Sequence, residues 1–87
     1  MSVTLMWEAR AVAGRGAELL EWARTQPLDA APLRRETFRA PGERVLVLTW
    51  WDAPLDADVP ELPEPDDSLI TRPVHRWRFE SLGTEGR

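Results

Sequence analysis

Four prolines fall within twelve residues, at positions 54, 60, 63 and 65. Each removes a backbone N–H donor and clashes with the preceding helical turn, so no continuous helix can run through residues 52–67. The same stretch, DAPLDADVPELPEPDD, carries seven acids and no base. It reads as a surface loop with at most a turn or two of helix, lying mostly in solvent because unpaired carboxylates are costly to bury. What remains to build a core is the sequence on either side.

Upstream, residues 2–13 (SVTLMWEARAVA) alternate with period two, Val3, Leu5, Trp7, Ala9 and Ala11 on one face and Thr4, Met6, Glu8, Arg10 and Val12 on the other. This predicts a strand. Gly14-Arg15-Gly16 punctuates the chain, and a helix follows over 17–26 with Leu19, Leu20 and Ala23 in one stripe and Trp22 at its edge. Glu18 suits the helix dipole, and Pro27 ends the helix by pushing Gln26 out of the α region. Residues 33–40 and 44–51 read as strands on either side of a Pro41-Gly42 turn, an antiparallel hairpin. Residues 70–81 give the last strand, with His75, Trp77 and Phe79 on one face and Pro73 near its beginning or on an edge.

The order strand, helix, strand, strand, acidic loop, strand is a βαββαβ plan with the second helix eroded. The expectation is α+β: one ferredoxin-like domain over residues 1–87, with a four-stranded antiparallel sheet and one main helix. Both faces of the third strand are apolar, Val45, Val47 and Trp51 against Leu46, Leu48 and Trp50. A sheet with one solvated face alternates apolar with polar instead. One helix covers one face, so a second copy packed sheet on sheet is expected to cover the other.

Composition removes several function classes. There is no cysteine and a single histidine, His75, which excludes disulfides, thiolate metal sites and a two-histidine centre in one chain. All eleven basic residues are arginine, and seven of the fifteen acids lie in residues 52–67, so that segment alone makes the net charge −4. An acidic chain with an acidic arm is a poor nucleic-acid binder. No apolar run approaches a membrane span, and the N-terminus does not show a basic-then-apolar leader, so a cytoplasmic protein without membrane or nucleic-acid partners is expected.

Several segments together resemble a known family. They are the first strand running into Val12-Ala13-Gly14-Arg15-Gly16, the helix opening Ala17-Glu18-Leu19-Leu20, the Pro41-Gly42 hairpin, the aliphatic–aromatic third strand and the closing Pro73-Val74-His75-Arg76-Trp77-Arg78-Phe79-Glu80. The chain resembles the dimeric α+β barrel superfamily, in particular its small antibiotic-biosynthesis-monooxygenase-like domains. The likeness spans nearly the whole chain and rests on patterns; the regular second helix usual in that family is missing at 52–67. It implies a homodimer forming a dimeric α+β barrel. Some members oxidise aromatic polyketides without metal or flavin, and others degrade haem or dismute chlorite, so the fold leaves the activity open.

On that resemblance, the chain is a cofactor-independent monooxygenase acting on a small aromatic ligand, or a non-catalytic ligand-binding or structural homodimer. For the first, His75 is the candidate catalytic residue, because an imidazole exchanges a proton near neutral pH. Trp77 shares its face, and Trp7 would join them if the first strand lies beside the fourth. Arg10 or Arg76 would meet a developing anion, reaching round a strand edge or coming from the partner chain, since alternation is expected to point them away from His75. For the second reading, His75 is a strand residue satisfied by a neighbour and Trp77 is core or interface. No cofactor is expected: haem would have only His75 as an imidazole ligand. Asp56, Asp58, Glu61, Asp66 and Asp67 lack the spacing of a calcium loop, so no metal site is expected either. Arg76 and Arg78 are expected to form cross-strand ion pairs among Glu8, Arg10, Glu36 and Glu80, and Ser2, Ser68 and Ser81 have no base nearby in sequence to make a nucleophile.

Overall fold

The alternating first segment forms β1 (Ser2–Arg10), and Val3, Leu5, Trp7 and Ala9 are all buried in the computed structural model, which describes residues 2–86. β1 stops at Arg10, three residues short of the expected end, and Ala11 makes an isolated bridge to Ile70. The helix α1 (Gly16–Thr25) follows, with Gly16, Leu19 and Ala23 buried. Its C-terminus turns extended at Gln26, ahead of Pro27. The Arg35 guanidinium then donates at 2.8 Å to both the Gln26 carbonyl and the Ala23 carbonyl, which also accepts the Gln26 N–H, and so ties the helix end to the next strand. Arg35 lies on β2 (Arg34–Ala40), which returns through residues 41–43 into β3 (Arg44–Trp51). In that turn Gly42 and Glu43 both have positive φ, 82° and 62°. The Glu43 carboxylate accepts from the Gly14 N–H at 3.0 Å, which ties the hairpin tip to the start of α1.

The last strand is shorter than residues 70–81. β4 spans His75–Ser81, because Pro73 has no amide to offer a ladder and residues 71–74 run off the sheet after Thr71 N–H has bonded the Arg10 carbonyl. The strand order is β2-β3-β1-β4, every neighbouring pair antiparallel, with β1 and β3 in the centre. This is a ferredoxin-like α+β plan with one helix.

No α-helix interrupts the chain between β3 and β4. The acids of residues 52–67 are exposed, but the segment does not simply lie in solvent: Leu62 and Pro65 are buried. The main core joins Trp7, Ala9, Val45 and Val47 of the sheet to Leu19 and Ala23 of α1 and to Leu62, Leu69 and Ile70 of the strap that residues 52–74 form between β3 and β4. The Trp7 indole stacks on Trp22 with centroids 5.9 Å apart, and its N–H donates to the Pro63 carbonyl at 3.2 Å. A proline-broken strap thus shares with α1 the covering of one sheet face.

β4 holds the strap from the edge. Arg76 donates to the Leu62 carbonyl at 2.6 Å and pairs with Glu61 and Glu64 at 3.4 and 3.5 Å. Arg78 donates to the Leu55 and Ala57 carbonyls and pairs with Glu61. The expected cross-strand pairing of these two arginines with Glu8, Arg10, Glu36 and Glu80 does not occur. Their side chains leave the covered face, where strap carbonyls and glutamates are nearer than any acid of the sheet.

Candidate functional site

The other sheet face has no covering layer among the described residues. The pairing register sets its side chains in four rows, each row crossing β2, β3, β1 and β4 in turn. Arg34, Trp50, Thr4 and Phe79 form the first; Glu36, Leu48, Met6 and Trp77 the second; Phe38, Leu46, Glu8 and His75 the third; Ala40, Arg44 and Arg10 begin the fourth. Rows are about 7 Å apart, two residues of extended chain. Trp77 and Phe79 are 62% and 46% exposed, and Leu46, Leu48 and Trp50 are half-buried. Arg34 lies over the Trp50 ring at 5.0 Å and pairs with Glu36 at 2.6 Å, so that corner is charge-balanced.

Within this surface Glu8 is buried to 7% exposure. Its Oε1 accepts from Arg72 Nη2 at 2.7 Å and lies 3.4 Å from His75 Nδ1, and its Oε2 meets Arg44 Nη1 at 3.4 Å. A carboxylate that far from water needs such partners. Arg44 is further fixed by donating from Nε to the Pro41 carbonyl at 3.0 Å. The His75 ring thus stands beside the carboxylate, and half of its side chain is exposed on the open side.

The structure divides the residues singled out from sequence. His75 and Trp77 lie together on the open face, and Arg10 is with them. Trp7 and Arg76 face each other on the covered side. β1 does lie beside β4, but in this register each odd-numbered β1 residue faces an even-numbered β4 residue, which separates Trp7 from Trp77 and joins Arg10 to His75. Glu8, Arg44 and Arg72 were not singled out as a group. Glu8 had a signal, the lone acid between Met6 and Ala9 of a central strand; Arg72, reached across 64 positions, had none.

Space is distributed unevenly. Between sheet and strap the cavity bounded by Trp7, Val47, Thr49 and Leu62 holds about 10 Å³, too little for a ligand. A groove of about 320 Å³ lies at the fourth-row end, lined by Arg10, Ala11, Ala13, Gly42, Glu43 and Thr71. Another of about 500 Å³ lies between the hairpin turn and the start of α1. The carboxyls held below their ordinary range are elsewhere: Glu18 by its bond to the Arg15 guanidinium, and Asp66 by bonds from Ser68. Among the described residues no three His, Asp or Glu side chains converge as a metal site, and no helix is long and apolar enough to cross a membrane.

Comparison with known proteins finds no matching family model, no similar curated protein and no similar solved structure.

Proposed function

We propose that this chain works as a homodimer of the dimeric α+β barrel type, in which two open sheet faces enclose a chamber for a small planar aromatic ligand. The observation that carries this reading is the open face itself: Leu46, Leu48, Trp50, Met6, Trp77 and Phe79 cluster as an apolar surface beside one buried, partnered carboxylate. Sheets pack face to face at about 10 Å by interdigitating such side chains. Between sheet and strap, Trp7 and Leu62 leave too little space for a ligand.

In that chamber the indole of Trp77 supplies a flat contact, and the His75 imidazole, beside Glu8, supplies a proton acceptor. A monooxygenase reaction there takes its electrons from the ligand: an activated ring methylene and dioxygen give a ring carbonyl and water, with His75 receiving the first proton. No external reductant is required. The alternative is a dimer that binds such a ligand, or only itself, without chemistry.

Tryptophan fluorescence titrated with planar phenolic compounds tests binding, and oxygen uptake tests turnover, in the native protein and in His75→Ala. Binding by both proteins, with oxygen uptake only in the native one, is the expected result. Binding without uptake in either leaves the non-catalytic form. No binding by a folded dimer overturns the ligand reading.

A further inference from the structure

The fourth row of the open face sets two arginines opposite each other, Arg10 on β1 and Arg44 on β3. Like charges directly opposed across strands are destabilising unless something lies between or beside them. Arg44 spends Nη1 on Glu8 and Nε on the Pro41 carbonyl, whereas the Arg10 side chain has no hydrogen bond or ion pair among the described residues. Arg72 and His75 crowd the same carboxylate from the β4 side. Two arginines and His75 thus share a single acid, and Arg10 stands unpaired two positions along the same face, in a chain whose net charge is −4. The other nearby acid, Glu43, is turned to the Gly14 N–H at the start of α1. Arg10 also lines the groove of about 320 Å³ that opens from this end of the sheet.

We infer that the ligand is a planar aromatic acid, and that Arg10, beside Arg44, is the receptor for its carboxylate. The inference rests on the ligand-binding reading above and names the substrate class. A guanidinium fork matches a carboxylate in two parallel bonds. From the Arg10 row to the Met6–Trp77 row is about 14 Å, four residues of strand. The Arg10 guanidinium lies beside Gly42 at the mouth of this groove, so a carboxylate held there directs a fused bicyclic ring back along the open face toward the Leu46 and His75 row.

The test compares 2-naphthoate with 2-naphthamide, equal in shape and differing in charge, by isothermal titration against the native dimer, Arg10→Gln and Arg10→Lys. Arg10 is exposed and does not pair with Glu8, so its replacement leaves the Glu8 cluster whole. The expected result is naphthoate binding tighter than the amide by about tenfold to a hundredfold, the range for a charge-assisted bond. Arg10→Gln removes that preference without weakening the amide, and Arg10→Lys keeps part of it. Equal binding of the two compounds, or a preference that survives Arg10→Gln, overturns the inference while leaving the ligand reading intact. Binding of neither overturns both.

Discussion

Arg72 donates to Glu8 at 2.7 Å across 64 positions of sequence, fastening the end of the strap to the centre of the sheet. The bond does two things at once. It neutralises a carboxylate that the neighbouring side chains of β1, β3 and β4 have shut away from water, and it positions the chain as it enters β4 with His75 beside the same oxygen.

Replacing Glu8 by glutamine removes the charge that holds Arg72, Arg44 and His75 together. The expected loss of stability is about 1.5–3 kcal/mol, the range for hydrogen bonds to charged groups. Urea denaturation measures it; a change below about 0.5 kcal/mol, ordinary for a surface substitution, would contradict the cluster's role.

The strap depends on Arg76 and Arg78, which grip its carbonyls and Glu61 and Glu64. In the double variant Arg76→Ala, Arg78→Ala, a glutamate-specific protease should cut after Glu61 several-fold faster than in the native protein. Amide exchange within α1 should stay unchanged, because the helix packs on β3 and Trp7 independently of that grip.

Leu62 is the strap's anchor in the core, 3% exposed. Leu62→Ala is expected to destabilise by about 2 kcal/mol, near the low end of such substitutions, since an irregular segment relaxes into the vacated space more readily than a helix. The fluorescence of Trp7, which the strap touches at Pro63, should shift with it.

Acid should weaken the fold through Glu18 and Asp66, whose carboxyls the folded state holds below their ordinary values of 4.5 and 3.8. A carboxyl with a lowered folded pKa binds fewer protons folded than unfolded, so its contribution is full above the ordinary value and disappears as pH falls through the lowered one. Below about pH 4.5, Glu18→Gln and Asp66→Asn should therefore lose less stability on acidification than the native protein, a difference read from denaturation midpoints.

Much of this fold was legible because its strands alternate. Val3, Leu5, Trp7 and Ala9 on β1, and Val45 and Val47 on β3, declare the buried face by period alone, and Pro41-Gly42 declares the hairpin. The strap's covering role was not legible: four prolines exclude a helix, yet nothing local says that Leu62 and Pro65 turn inward while the acids between and around them turn out. The division of the site was hidden for a related reason. Which face Arg10 or Trp7 shares with His75 depends on the register of β1 against β4, and a shift of one residue would exchange them. In this structure the register goes with contacts between distant parts of the chain, Arg72 and His75 at Glu8 and Arg76 at the Leu62 carbonyl.

Sedimentation equilibrium at micromolar concentrations, on the native chain and on Leu48→Glu, tests the account at its centre. Leu48 lies mid-row on the open face, next to Met6, so a charge there should leave the fold intact and block face-to-face packing. The expected masses are twice the chain mass for the native protein and a folded single-chain mass for the variant. A native protein of single-chain mass throughout, or a Leu48→Glu variant that still sediments as a dimer, would contradict it.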